Sequence, residues 1–481
     1  MKSLARNSIY NIIYKCLNVV FPLITAGWVS RILMAEGIGK VSSAQNIVQY
    51  FTILAALGLP TYGTKVVSAL NGKTEEQSKA FSELFIINAV STLICTAVYY
   101  IMIVSFPYFV SRWSLFAVCG LAIPFNIINV DWFYQGKEEY GYIMARSLII
   151  KTLSLIACFG LVRQSGDVIV YAAITTFVTV ANYIFNIINI RKYVTFNIKG
   201  VDVIQHIKPV FIMLSASIAI EIYTLADTTM LTFFYSDSIV GYYANAIKGV
   251  RVIKTLVSAI CAVFLPRLSY YYANGQKKEF DKLINSGIKI LAYISIPTTL
   301  GVALVAGDFV PILFGTDFYE SVLATRILSI SIISVAFSNF LGYQVLVTVG
   351  KEKQMMISTI IGAIVNIILN FALIIPFKHN GVAFASVVTE LCVTLYQIIA
   401  IRGIFEFEID KKFTVSLVIS NITMVISVIF CMVIFNRPVL RLITSVGLGI
   451  LLYGIVSILT KSELVIPILF KAVKRKHTEQ K

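Results

Sequence analysis

Charge is what this sequence has least of. Of 481 residues only 13% are Asp, Glu, Lys or Arg, 58% are hydrophobic, and the mean hydropathy is +0.84. Water-soluble domains carry about 25% charged residues, so this composition excludes one. Strand-length alternation is missing too, which leaves helices as the spanning element. Histidine is confined to His206, His379 and His477, and the seven cysteines (16, 95, 119, 158, 261, 392 and 431) show no CxxC spacing, so neither set suggests a metal site. The stretch "NGKT" at 71–74 looks like the end of a phosphate-binding loop, but Val67 stands where its first glycine is needed and the stretch joins two apolar runs. With no room for an ATPase domain, transport would draw on an ion gradient, a partner or the substrate's own gradient. Long outer loops are also lacking. The longest, near 306–320, offers Asp308, Asp317 and Glu320 as solvated loop charges, which argues against a membrane polymerase or ligase that must hold an acceptor.

What is present is a succession of apolar runs of about 20 residues, the length a bilayer-crossing helix requires. They predict an all-α integral membrane protein of about 14 spans: 8–30, 42–64, 81–105, 113–133, 143–162, 168–190, 209–234, 241–265, 284–305, 321–349, 354–376, 381–401, 414–435 and 440–460. The first has no cleavage signal behind it and reads as an anchor. An even span count puts both termini on one side. The segments on that side, including the tail "KAVKRKHTEQK", hold 26 Lys and Arg against 7 in the opposite loops. The positive-inside rule therefore expects both termini in the cytoplasm, and the net charge of +16 follows from that asymmetry, with no nucleic acid needed to explain it.

An internal echo divides the chain. Gly136-Lys137-Glu138 in "WFYQGKEEYGYI" matches Gly350-Lys351-Glu352 in "LVTVGKEKQMMI", each after the fourth span of a six-span set. Gly39 in "AEGIGKVSSAQNI" and Gly241 in "SDSIVGYYANAIKG" each open a second span. The expected organisation is two six-helix lobes, 1–200 and 201–405, related by a pseudo-two-fold along the membrane normal, with two further helices and a basic tail at 406–481.

Arg146 and Arg441, within four residues of a span start, are counted with the adjoining loops, and seven cations lie deeper inside the spans: Lys15, Lys151, Lys248, Arg251, Lys254, Lys289 and Arg326. Each costs roughly 2.5–3.5 kcal/mol at mid-membrane, so such groups normally face water or an anion. If the eighth span enters at Gly241, Lys248, Arg251 and Lys254 lie about 10, 15 and 20 Å in, a cationic ladder on one helix face. The alternative is a later start, with the three snorkelling to the outer interface. Lys151 and Lys289 are within snorkelling reach of the cytoplasmic side, and Arg326 is near an outer helix start. Glu221, Asp227, Asp131 and Glu390 are the intramembrane or span-end carboxylates, candidates for charge pairing or for carrying a coupling proton or sodium ion. Tyr242, Tyr243, Asn245, Asn366 and Asn370 offer aromatic and amide groups to sugars, or equally to interhelical hydrogen bonds.

Four stretches together, "DWFYQGKEEYGYIMARS" (131–147), "LADTTMLTFFYSDSIVGYYANAIK" (225–248), "VFLPRLSYYYANGQ" (263–276) and 342–390, beginning "GYQVLVTVGKEKQMMI", resemble polysaccharide transporters of the O-antigen flippase type. That superfamily also holds lipid II flippases and multidrug and toxin extruders. The resemblance covers nearly the whole chain. It implies a non-enzymatic protein of the bacterial inner membrane that flips an undecaprenyl-pyrophosphate-linked oligosaccharide by alternating access. It also implies a cationic cavity for the head group, to which Lys15 contributes from the first lobe, and two last spans similar to those forming a lipid-tail groove. A polysaccharide polymerase and a chain-length regulator are the expected protein partners, with no cofactor beyond a coupling ion. A cation-coupled multidrug extruder on the same scaffold is the competing reading, and a cationic cavity would repel its substrates.

Overall fold

The computed structural model describes residues 4–460 except 71, 198–199, 262 and 409, with some side chains in 4–16 and 216–223 also outside the description, that of Lys15 among them. The basic tail therefore lies outside the described residues. By packing, the chain forms two compact units, Met1–Ala244 and Asn245–Lys481. The first holds α1 (Leu4–Ala56), α2 (Leu59–Ala69), α3 (Thr74–Ser105), α4 (Pro107–Val110), α5 (Trp113–Gly120), α6 (Ala122–Phe125), α7 (Asp131–Gly136), α8 (Tyr140–Leu161), α9 (Val168–Ile190), α10 (Ile204–Phe234) and the first turns of α11 (Asp237–Cys261). The second holds the rest of α11, then α12 (Leu265–Ala273), α13 (Lys277–Phe314), α14 (Ser321–Ser329), α15 (Ser331–Ser338), a π-helical stretch Asn339–Leu346, α16 (Glu352–Ala400), α17 (Lys411–Ile434) and α18 (Pro438–Leu459). No strand occurs among the described residues, and ten of the helical runs are long and apolar enough to cross a membrane. The chain is a multi-pass membrane protein.

The helix breaks at Met34 and Lys378 fall in gaps between expected spans, whereas those at Leu57 and within 113–133 fall inside one. α1 covers the first expected span and part of the second, interrupted only at Met34 (φ 57°). It ends at Leu57 (φ 50°), after which Pro60 in the first turn of α2 restarts the helix. α16 likewise joins two expected spans across Lys378 (φ 51°). The fourth expected span is broken into α5, α6, a 3-10 turn at Asn126–Ile128 and α7. A break inside a membrane frees backbone carbonyls that lipid cannot satisfy. Asn88 of α3 supplies the missing donor, its Nδ2 reaching the carbonyls of Asn126 at 2.7 Å and Ile127 at 3.1 Å.

The tripeptide echo proves to be out of register. Glu139 N donates to Tyr134 O at 2.9 Å around Glu138 (φ 55°), and Lys351 N donates to Leu346 O at 2.8 Å around Gly350 (φ 73°). These are matching helix-ending turns. Glu138, not Gly136, is thus the counterpart of Gly350. Gly136 has a different task, since a Cβ there would lie 2.8 Å from Val67 Cβ and 2.9 Å from Thr64 O. The neighbouring Trp132, Phe133 and Tyr134 are buried in the aromatic core beneath α2 and α3, so this conspicuous motif is a packing node.

The other echo is a physical contact. A Cβ on Gly39 would sit 1.7 Å from Asp237 O, and a Cβ on Gly241 would sit 2.0 Å from Ala35 O. Each glycine therefore lies against the carbonyl four residues before the other, the reciprocity that a local two-fold relation generates. Both backbones touch within the first unit, and no side chain fits between them. Gly39→Ala or Gly241→Ala is expected to cost at least about 3 kcal/mol, the upper end for overpacking, because backbone and not a flexible side chain must move. Gly447→Ala, with nothing within 4 Å of its Cβ, is expected to be near neutral. Thermal unfolding midpoints of the three detergent-solubilised variants check this, and equal midpoints would refute the close-contact assignment.

Candidate functional site

The first unit carries a polar seam through α7, α8 and α9. Arg146 of α8, 5% exposed, directs Nη2 to Asp131 Oδ1 at 3.0 Å and Nη1 to Asn186 Oδ1, while Asn186 Nδ2 donates to the same Asp131 oxygen. The guanidinium also lies 5.6 Å over the Tyr142 ring. Asp131 is therefore held in a closed ion pair. Arg146 was counted with the cytoplasmic loop charges in the sequence, yet it lies on a polar stripe of α8 with Ser147, Lys151 and Ser154, all buried. That stripe at helical spacing was the signal that could have found it. Lys151, 9% exposed, donates to Asn18 of α1, one turn from Lys15, whose side chain lies outside the described residues.

α10 is tied to α1 and to the start of α11. Asn46 donates to Thr229 Oγ1 at 2.6 Å, Tyr50 Oη and Thr229 Oγ1 are 3.0 Å apart, and Thr232 donates to Ser43 at 2.9 Å. Asp227, 5% exposed, accepts from Tyr243 Oη at 2.5 Å across the α10–α11 turn. The start of α11 is fixed a second time by Arg112, whose Nη1 meets Asp237 Oδ1 at 2.8 Å. Glu221 in α10 and Glu390 in α16 are half-buried. Of the groups offered to sugars, Tyr243, Asn245, Asn366 and Asn370 are fully or almost fully buried, and Asn370 donates to Asn366 at 3.1 Å. Only Tyr242 is part-exposed.

The three cations of α11 lie farther along their helix than a start at Gly241 would put them. The helix begins at Asp237, four residues before Gly241. Lys248, Arg251 and Lys254 consequently lie about 16, 21 and 26 Å along its axis from that start. Lys248 and Lys254 are half-buried and Arg251 is exposed, while Tyr243, Ala246, Val250, Val257 and Cys261 form the buried stripe. Lys248 and Arg251 make no ion pair with the described residues. Lys289, by contrast, is anchored: its Nζ meets Asp410 Oδ2 at 2.8 Å and lies 5.8 Å over the Phe413 ring. Asp410 caps α17 by accepting from Phe413 N at 3.0 Å, and the Lys289 hydrogen bond holds its carboxyl below the usual carboxylate range.

Beside Ile253, on the same turn of α11 as Arg251 and Lys254, opens an apolar cavity of about 510 Å³ between α13, α17 and α18. Pro297, Gly301, Val428, Val446 and Gly449 line it. Small residues and an internal proline keep side chains from filling the space. Ion pairs join α13 to the α17–α18 hairpin near both ends of the cavity: Lys289 with Asp410, and Asp308, buried in α13 and not the solvated loop charge expected, with Arg441, whose Nε meets Oδ2 at 2.6 Å. On α13 these two anchors are about 28 Å apart, close to the hydrocarbon thickness. The sequence displayed the cations of α11 but not this cavity, because it depends on which faces of three separate helices meet.

Breaking one partner of a buried ion pair costs about 3–5 kcal/mol, whereas replacing both with apolar groups is far milder. Arg146→Met is therefore expected to lower the unfolding midpoint more than the double variant Asp131→Leu, Arg146→Met. A double variant as unstable as the sum of the singles would dismiss the coupling.

The polysaccharide biosynthesis protein family model matches residues 4–271, more than half of the chain, and a second model, MatE, matches 213–372. A Shigella dysenteriae protein named "Putative O-antigen transporter" is 24% identical over 401 residues, covering 80% of this chain and 96% of that protein. Among solved structures, lipid II flippase MurJ in its inward closed conformation superposes with a TM-score of 0.77 at 15% identity, covering 96% of this chain and all of that one. An inward-facing multidrug resistance MATE family transporter gives 0.62 at 14% identity, covering 80% of this chain and 94% of that one. At such identities the structures speak for a shared fold. The family model speaks for kinship: the chain belongs to the polysaccharide biosynthesis protein family.

Proposed function

We propose that the protein is a non-enzymatic flippase that moves a lipid-linked oligosaccharide, an undecaprenyl-pyrophosphate-linked O-antigen unit or similar polysaccharide repeat, across the bacterial cytoplasmic membrane by alternating access. The observation that carries this reading is on α11: one helical turn presents Arg251 and Lys254 and also Ile253, which lines the apolar cavity. An amphiphile with an anionic head and a polyprenyl tail needs both within one molecule's reach. Guanidinium meets pyrophosphate bidentately and ammonium meets it as a movable point charge. Lys248, Arg251 and Lys254, joined by Lys15 and with Lys151 and Lys289 as further cations, hand the head group along the membrane normal, while the tail occupies the cavity of α13, α17 and α18.

In this reading the fourteen expected spans form two six-helix lobes, 1–200 and 201–405, with helices 13 and 14 in 406–481 and both termini in the cytoplasm. The reciprocal Gly39–Gly241 contact supports the pseudo-two-fold. Coupling to a proton or sodium gradient is placed on the carboxylates Glu221, Asp227, Asp131 and Glu390. Asp227, bonded to Tyr243 across the α10–α11 turn, is positioned to link its own charge state to the position of α11. The MatE match over 213–372 favours a second reading, a cation-coupled multidrug extruder. The cations of α11 oppose it, since an organic cation would be repelled.

The test is leaflet accessibility of a labelled undecaprenyl-pyrophosphate-oligosaccharide in proteoliposomes, without a gradient and then with a proton or sodium gradient. Protein-dependent exposure is expected. Arg251→Ala is expected to slow it about tenfold or more, the equivalent of one charge-assisted hydrogen bond of roughly 1.5–3 kcal/mol. Exposure of no head group by folded protein, alongside extrusion of an organic cation, would favour the second reading.

A further inference from the structure

A second charged feature lies in the first unit, where α3 begins and α9 ends. There a cleft of about 560 Å³ is lined by Lys79, Arg191 and Lys192, with Glu75 as its one acid. We propose that this cleft binds the phosphate of an anionic phospholipid headgroup, a site independent of the transported substrate.

Three observations lead there. The first is height. Arg191 and Lys192 directly follow Ile190, the last residue of the spanning helix α9, and Lys79 stands two residues before Phe81, where the apolar run of α3 begins. All three cations thus lie where a bilayer presents its headgroups. The second is continuity with lipid. Ile184, Ile188 and Lys192 succeed one another at four-residue steps, and the two isoleucines are 36% and 62% exposed. An acyl chain lying along that stripe leads its own phosphate to Lys192. A soluble anion would gain nothing from the stripe.

The third is preorganisation. The chain leaving α9 is stitched to α3 by its own amides: Thr195 N donates to Ser78 Oγ at 3.3 Å, Asn197 N to Ser82 Oγ at 3.1 Å and Asp202 N to Glu83 Oε1 at 2.9 Å. These bonds fix the wall of the cleft before any ligand arrives. The cations themselves are left for a ligand. Arg191 and Lys192 make no ion pair among the described residues, and Lys79 is 4.0 Å from Glu83 with its side chain 55% exposed. A phosphodiester supplies the missing counter-charge, at about 1 kcal/mol per cation near a membrane surface.

The experiment uses the full chain in nanodiscs of phosphatidylcholine with increasing phosphatidylglycerol, reading the thermal unfolding midpoint and, by native mass spectrometry, the lipids retained. Phosphatidylglycerol is expected to raise the midpoint and to be retained. Arg191→Ala with Lys192→Ala is expected to raise the half-saturating phosphatidylglycerol fraction about 30-fold, the loss of two such contacts. The charge-preserving pair Arg191→Lys, Lys192→Arg should keep the response, as should Lys278→Ala with Lys282→Ala, which removes equal charge elsewhere. An unchanged response in the first pair, an equal loss in the Lys278/Lys282 pair, or full reproduction of the shift by inorganic phosphate in pure phosphatidylcholine would each overturn the site. None of these readouts depends on transport, so failure here leaves the flippase reading standing.

Discussion

Hydrocarbon offers no hydrogen bonds, and everything distinctive in this molecule answers to that constraint. Backbone groups meet it by forming helices, and where a helix breaks a side chain steps in, as Asn88 does for the carbonyls of Asn126 and Ile127. Charged side chains meet it by closing on one another. Asp131 and Arg146, Asp308 and Arg441, and Lys289 and Asp410 are each completed within the protein, and Asp227 takes its hydrogen bond from Tyr243. Against that background Lys248 and Arg251 stand out, two cations deep along α11 with no carboxylate partner among the described residues. In the proposed flippase the anionic head group of the substrate completes their charge.

The same constraint explains the close backbone contacts. In lipid, helices gain little from hydrophobic exclusion and associate through dense packing and polar bridges. Gly39 and Gly241 bring α1 and the first turns of α11 to backbone contact, and the Ser43–Thr232, Asn46–Thr229 and Asp227–Tyr243 bonds follow from there. A side chain at either glycine would lift these bonds out of reach together. The start of α11 is therefore rigidly registered, while its later turns carry the ladder.

Most helices were legible because twenty apolar residues in a row have few alternatives. The breaks at Met34 and Lys378 fall in the gaps between expected spans, but the one at Leu57 was hidden inside a span by a side chain with no turn preference, while Pro22, Pro209, Pro297 and Pro311 lie inside helices that run on. Proline within a membrane helix is accommodated by neighbours, so it loses its value as punctuation. The pair Gly39 and Gly241 was visible as an echo, but only coordinates reveal that the two touch. The Gly-Lys-Glu echo misled for the opposite reason: identical letters serve a packing task at Gly136 and a conformational one at Gly350. Of the candidate cations, Lys289 turned out to be bound in an ion pair, and Arg146 was missed because a loop count absorbed it.

What distinguishes α11 from the other charged helices is that its cations are spread along the axis. A single deep site with three converging cations would hold a pyrophosphate too tightly to release it. In the proposed flippase, three positions about 4.5 Å apart along the helix would let the anion gain a new contact as it gives up an old one, so that no step would strand a doubly charged group in a dry interior. The mixed chemistry follows the same logic, with ammonium at both ends tolerating many geometries and guanidinium between them favouring a bidentate one. With Ile253 lining the apolar cavity from the same stretch, the head and tail of the proposed substrate would advance past one helix without either entering the other's solvent.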